Sequence, residues 1–369
     1  MTDWSALVKP SLVGVLPYDP GESVSQLRAR YGLDHVWKLN WNEDLFGPLD
    51  GVLDAAAAEL ANTWMYPEQT YADLRRAVAR WLGVSSRQVV PAHGIQALVG
   101  MVVATFVTPG QSVVIPAPTY GLYSQVCAAA GANVVRVPVR DDLGIDLEAV
   151  ARAAEESRAR LVWIADPNNP TGAVVTRADW RAFLDVLPQG CVAVVDEAYR
   201  EYVDPAALVA RETDVQDGRP VLLLRTFSKI FGLAGLRLGY AVANEELASF
   251  LDVVQEPFNV NRAALAAGRA SLRDTSRVEG RRVVAVGARE LLTRRLREAG
   301  TEPLASEANF VLVRLGVDDV RLTDGLARRG YLIRAGSDFG LAGYARITVG
   351  PPDVMEGVVA AITEELASL

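Results

Sequence analysis

"LLLRTFSKIFGLAGLRLGY", residues 222–240, sets one lysine, Lys229, at the end of an apolar run. Thr226, Ser228 and Arg237 flank it, and glycines stand at 232, 235 and 239. The run has the length of a buried strand, and the glycines allow other backbone to pass close by. An ammonium in such surroundings is desolvated, which lowers its pKa below the ordinary value of about 10.4 and makes it a better nucleophile. Schiff-base chemistry needs a lysine of that kind. Two hydroxyls and a guanidinium beside it have the makings of a phosphate cradle. A lone lysine is far more often simply solvated; this one is not alone.

Outward from this stretch, between about residues 70 and 245, apolar runs alternate with helical patterns. The runs are "QVVPA", "SVVIPA", "NVVRVPV", "LVWIAD", "CVAVVDE", "VLLLRTF" and "LRLGYAVA". They are rich in Val, Leu and Ile without strict alternation, which predicts a largely parallel sheet covered on both faces. Residues 262–369 read differently: a long charged helix over 276–299, then "NFVLVRL", "YLIRAG", "YARITVG" and a final amphipathic helix. The reading is an N-terminal extended arm over 1–45, a large α/β domain over 46–260 and a smaller α+β domain over 261–369.

Composition removes several function classes. The 369 residues carry a net charge of −8 with both signs interspersed, so no basic stripe points to nucleic acid. "MTDWSALVKPSLVG" does not read as a signal peptide, and "GIQALVGMVVATFV" is too short to span a bilayer, so a cytoplasmic protein is expected. The two cysteines, Cys127 and Cys191, lie in unlike contexts and read as small buried hydrophobes. The two histidines, His35 and His93, form no ligand spacing, which disfavours a zinc hydrolase or a Ser-His-Asp enzyme. Acid–base work is left to lysine, tyrosine or a carboxylate.

In parallel α/β sheets ligands bind beyond the C-terminal ends of the strands. After "VVPAH" come Gly94, Ile95 and Gln96, where a helix opening on glycine can turn its amides toward an anion. A plain strand–helix turn explains that stretch about as well. "PNNPTG", Pro167–Gly172, taken alone is a Pro/Asn turn, and Asp196 in "VVDEAY" taken alone is a helix cap. Tyr199 follows it three residues on.

Together and in this order, "PNNPTG", "VVDEAY" and "TFSKIFGLAGLRLGY" resemble the class I/II aminotransferases of the fold-type I pyridoxal-phosphate (PLP) enzymes. "LPYDPG", "KLNWNED", "YPEQTYADLRRAVA" and "YARITVG" are most similar to the histidinol-phosphate aminotransferase subfamily, so the likeness spans roughly Tyr18 to Gly350. The resemblance implies the aspartate-aminotransferase-like fold. It also implies a ping-pong exchange in which Lys229 holds PLP as a Schiff base and moves a proton between substrate and cofactor.

By the same resemblance, Asp196 would pair with the pyridine nitrogen, and Asn169 and Tyr199 with the ring 3-oxygen. Tyr120 would stack on the ring, although a core aromatic at a strand end explains it equally well. Gly94, Ile95 and Gln96 with Thr226, Ser228 and Arg237 would hold the phosphate, joined by Tyr66 from the other subunit of a homodimer. Arg346 would grip the substrate's carboxylate or phosphate, supported by Arg334 and Tyr18; for Arg334 a surface salt bridge is the plainer reading.

Two stretches depart from the subfamily's pattern. A small residue, Asp or Asn, and Glu usually follow the glycine, where this chain has Ile95, Gln96 and Ala97 behind His93. Asp44 and Leu45 stand where Asn-Pro is common. Both lie near the expected substrate, so a PLP-dependent lyase, decarboxylase or cyclase stays open beside transamination. A nucleotide-binding oxidoreductase would want a G-x-G-x-x-G after the first strand and would leave Lys229 and Asp196 without work. A non-enzymatic PLP-binding regulator would need a DNA-binding module, for which no residues remain.

Overall fold

The computed structural model describes residues 2–17 and 21–369. All seven apolar runs are strands of one sheet: β1 (Val89–Ala92), β2 (Ser112–Ala117), β3 (Asn133–Pro138), β4 (Leu161–Ala165), β5 (Val192–Asp196), β6 (Val221–Thr226) and β7 (Gly239–Val242). Their spatial order is β1-β7-β6-β5-β4-β2-β3, with β7 antiparallel to both neighbours and every other pair parallel. Side chains alternate between two separate cores. Val162, Ile164, Val195 and Leu223 face one, while Leu161, Trp163, Val194 and Leu222 face the other. That double burial is why these strands read as continuous apolar runs.

The topology sets the site. Because β4, β5 and β6 are parallel, their C-terminal ends reach one edge, where Ala165 pairs with Asp196 and Asp196 with Leu224. β1 runs the same way, since β7 is antiparallel to it and to β6. The helix that follows β1, Gly94–Phe106, therefore begins at that edge too.

The C-terminal region builds a second, antiparallel sheet from β8 (Glu302–Pro303), β9 (Phe310–Arg314), β10 (Arg334–Ala335) and β11 (Tyr344–Thr348), in the order β10-β11-β9-β8. The helices Ser276–Glu298, Asp319–Arg328 and Pro352–Ser368 cover it around Leu292, Leu322, Ile347, Val358 and Ile362. β10 and β11 pair so that Arg334 stands opposite Arg346.

The N-terminal segment is less extended than its sequence predicts. Val24–Tyr31 is a helix opened by a Ser23/Gln26 capping box and closed by Gly32 at φ +66°. Leu27 and Val36 pack on Ala327 and Leu332 of the C-terminal region, and Trp37–Lys38 pairs in parallel with Tyr331–Leu332. "YLIRAG" is consequently divided, its first half pairing with the N-terminal segment and its second with β11. Cys127 and Cys191 are buried free thiols. Among the described residues no helix is long and apolar enough to cross a membrane.

Candidate functional site

Lys229 lies three residues beyond the end of β6. Its Nζ donates to the carbonyls of Trp41 at 3.0 Å and Asn42 at 2.8 Å, and stands 5.4 Å from the centre of the Tyr199 ring. Burial brings the amine down from 10.5 to about 7; Glu43 pulls it back upward and Arg346 pushes it further down. An appreciable fraction of this amine is neutral, and so nucleophilic, near neutral pH.

Asp196 ends β5 and is buried. Its Oδ1 accepts the Ala198 amide at 3.0 Å and its Oδ2 the Tyr123 hydroxyl at 2.5 Å. Burial raises this carboxyl from 3.8 to about 6, partly offset by Tyr123, the Ala198 amide and Lys229. Tyr199 is buried edge-on to Phe310, and its hydroxyl accepts Asn42 Nδ2 at 3.0 Å. Asn169 follows β4 on the "PNNPTG" loop and accepts Nη1 of Arg346 through Oδ1. Arg346, buried on β11, also donates to the Asn40 carbonyl and lies 5.1 Å from the Phe339 ring. Arg334, across the register from it, pairs with Asp338 at 2.7 Å and lies 5.9 Å from the same ring. It is half-buried, and the Asp338 pair places it beside the ring that Arg346 also approaches.

The anion end is built at the start of the helix Gly94–Phe106, whose preceding residue, His93, makes no side-chain cap. Gly94 has φ +78°, and a Cβ there would stand 2.7 Å from Arg237 Nη2. Gly239 lets β7 approach closely, because a Cβ would meet Arg225 O at 2.8 Å and Ile95 N at 3.1 Å. Arg237 donates to Gln96 Oε1 at 3.3 Å and to Ser228 Oγ at 3.5 Å, while the Ser228 amide donates to Thr226 Oγ1 at 3.0 Å. Gln96 Nε2 donates to Tyr120 OH at 3.3 Å. Thr226, Ser228, Arg237 and the amides of Ile95 and Gln96 thus converge where backbone alone fits.

Of the residues singled out from sequence, this edge gathers all but two. Tyr66 is 78% exposed and stacks on Phe258 at 4.7 Å. Tyr18 lies outside the described residues. The structure adds others. Asn42 holds Lys229 and Tyr199 while accepting Asn309 Nδ2 through its carbonyl at 3.1 Å, so it ties the two domains together. It stands inside the quoted "KLNWNED", but nothing local marks its task. Tyr123 lies three residues after Tyr120, in the first turn of the helix Leu122–Ala129, and nothing local marks its task either. Behind the strand ends, Arg211 bridges Asp166 and Glu197, and Arg225 bridges Glu197 and Glu212, all of them buried. Asp166, Glu197 and Arg225 adjoin Pro167, Asp196 and Thr226, so this ionic web braces the three strand ends from the opposite face.

The donor set fits pyridoxal phosphate group by group: an activated amine for an aldehyde, a buried carboxylate for a ring nitrogen, and hydroxyls, amides and a guanidinium for a phosphate. Comparison with known proteins agrees. The family model described as aminotransferase class I and II matches residues 34–362. A histidinol-phosphate aminotransferase of Symbiobacterium thermophilum is 37% identical over 359 residues, covering 97% of this chain and 98% of that protein. One from Geobacillus thermodenitrificans is 36% identical over 97% of this chain and 98% of its own. A crystal structure of histidinol-phosphate aminotransferase from Sinorhizobium meliloti in complex with pyridoxal-5'-phosphate superposes with a TM-score of 0.91 at 31% identity, covering 98% of each chain. Aspartate aminotransferase from Thermus thermophilus, at 22% identity and a TM-score of 0.81, covering 97% of this chain and 99% of its own, shares the fold.

Proposed function

The chain belongs to the aminotransferase class I and II family, and from that premise we propose that it passes the amino group of histidinol phosphate, or a donor of that shape, to a 2-oxo acid, with pyridoxal phosphate as cofactor. The observation that carries this reading is the meeting of Lys229, Asp196 and Asn169 at one sheet edge with Arg346 from the facing domain. When bound, pyridoxal phosphate supplies an electron sink that acidifies the donor's Cα–H bond.

Lys229 Nζ, brought to about 7, is the base for that Cα proton and can return it, because its two protonation states lie close in energy near neutral pH. Asp196 offers a carboxylate to the proton on the ring nitrogen. Arg346 occupies Asn169 Oδ1, which leaves Nδ2 to donate toward the ring 3-oxygen. Tyr199, whose hydroxyl accepts from Asn42 Nδ2, is assigned to the same atom. The amides of Ile95 and Gln96 with Thr226, Ser228 and Arg237 take the phosphate, and Tyr120 covers the ring. Arg346 reads the donor's anionic end with Arg334 beside it; Tyr18 is assigned to the same end.

A homodimer that lends Tyr66 across the interface belongs to this proposal. It is supported by the outward-facing Trp64, Met65, Tyr66 and Phe258 and by Trp4, Leu7 and Leu16 near the N-terminus, all large apolar side chains exposed to solvent in the single chain. Cytoplasmic residence belongs to it as well; two unpaired thiols suit a reducing compartment. The lyase, decarboxylase or cyclase alternative is not favoured, since the curated relatives are aminotransferases over nearly the whole chain.

A donor panel tests the reading. Histidinol phosphate, added without a 2-oxo acid, should abolish the bound cofactor's visible absorption in one turnover, and phenylalanine and arginine should act far more slowly. Arg346→Gln should lower kcat/KM by roughly two orders of magnitude, the value of a hydrogen bond to a charged group at about 3 kcal/mol. If histidinol phosphate leaves the absorption unchanged while another donor removes it, the substrate assignment fails.

A further inference from the structure

Tyr123 has no part in the roles assigned above, yet its hydroxyl lies 2.5 Å from Asp196 Oδ2 in the interior of the large domain. The side chain is 1% exposed and stacks on Trp163 at 4.9 Å and 11°. Tyr120 meets it edge-on at 5.4 Å and 88°. The phenol therefore cannot swing away without giving up two aromatic contacts. With Oδ1 accepting the Ala198 amide, each carboxylate oxygen has one fixed donor, and the plane of the carboxylate is set. A buried phenol needs an acceptor, but any carbonyl would serve; this one goes to the carboxylate assigned to the ring nitrogen.

We propose that Tyr123 is a positioning residue whose hydroxyl keeps Asp196 ionised and aimed at the cofactor's ring nitrogen. The proposal rests on the assignment of Asp196 made above. Burial disfavours the charged carboxylate, and the Tyr123 hydroxyl is the largest influence opposing it. Lys229 also favours the charged form, Glu197 opposes it, and Tyr120 and Tyr199 are the other titratable neighbours of the Tyr123 ring. Without the hydroxyl, Asp196 should hold its proton to higher pH.

Tyr123→Phe keeps the ring and its stacking and deletes one donor. The test is the dissociation constant of pyridoxal phosphate from the apoprotein, followed by tryptophan fluorescence from pH 5.5 to 8.5 in wild type and variant. Taking the ratio of the two constants at each pH cancels the cofactor's own titration. The expected ratio stays within about three-fold at pH 8.5 and climbs toward ten-fold at pH 5.5, corresponding to a carboxyl shift of about one pH unit. A ratio that is the same at every pH, whatever its size, overturns the proposal, since loss of packing alone carries no proton. A ratio near one throughout overturns it too. Because only the pH dependence is read, a lower melting temperature for the variant does not obscure the outcome. Asp196→Ala separates the two claims: if it leaves cofactor affinity unchanged, the assignment of Asp196 itself has failed.

Discussion

Replacing Glu197 by glutamine removes one carboxylate from a buried web that is balanced in charge, with Arg200, Arg211 and Arg225 against Asp166, Glu197 and Glu212. Glu197 is 1% exposed and takes three close hydrogen bonds, from Arg225 Nε at 2.8 Å and Nη2 at 2.6 Å and from Arg211 Nη1 at 3.0 Å. Its arginine neighbours hold the carboxyl down at about 2 against the burial that would raise it, so it is charged throughout the working range. The glutamine amide would turn donors toward guanidinium groups that have nothing to accept them. Breaking a buried pair in this way costs about 3–5 kcal/mol, because an uncompensated charge stays behind. For a domain of this size that is roughly 6–20 °C in melting temperature, at 2–4 °C per kcal/mol. Thermal scans of the apoprotein at one fixed rate, checked by the urea midpoint, measure it. A loss below about 1 kcal/mol would refute the reasoning, since it would mean that the web relaxes or takes up water as freely as a surface pair does. In the wild type the contribution of Glu197 is complete above pH 4.5 and is lost as the pH falls toward about 2, because its folded pKa lies below the unfolded one.

Other consequences follow from the same geometry. Lys229→Met and Asp196→Asn each delete a charge that burial penalises, so both apoproteins should melt higher than wild type while failing to retain cofactor. Their pH trends run oppositely. The lysine gain grows as the pH falls from 10.5 toward about 7, whereas the aspartate gain emerges as the pH rises from 3.8 through about 6. Parallel trends in the melting curves would contradict the burial argument. Gly239→Ala would press a Cβ against backbone at Arg225 and Ile95, displacing the first turn of the helix Gly94–Phe106. Cofactor affinity should fall about ten-fold or more, in line with the 1–3 kcal/mol of an overpacked site. An unchanged dissociation constant would show that the helix start plays no part in holding phosphate.

Much of this architecture is legible along the chain because its signals are local. The seven runs of the large sheet announce themselves, since strands buried on both faces need apolar residues at every position. The residues at their ends read as chemistry because a parallel sheet brings those ends to one edge. Lys229, Asp196 and Asn169 stand at that edge because each follows or ends one of those strands. The helix Val24–Tyr31 is not legible in this way, because its polar composition hides it and its stability comes from packing on residues three hundred positions away.

What the sequence by itself determined was the sheet, the family and which side chains stand at the sheet's C-terminal edge. Tertiary structure decided how those side chains are held. Tyr123 under Asp196, Asn42 between Lys229 and Tyr199, Arg346 against Asn169, and Arg211 between Asp166 and Glu197 are all pairings of residues far apart in the chain. No periodicity encodes such partners. A hydrogen bond depends on a few tenths of an ångström, and that precision exists only once both cores have closed around the strands that carry the groups.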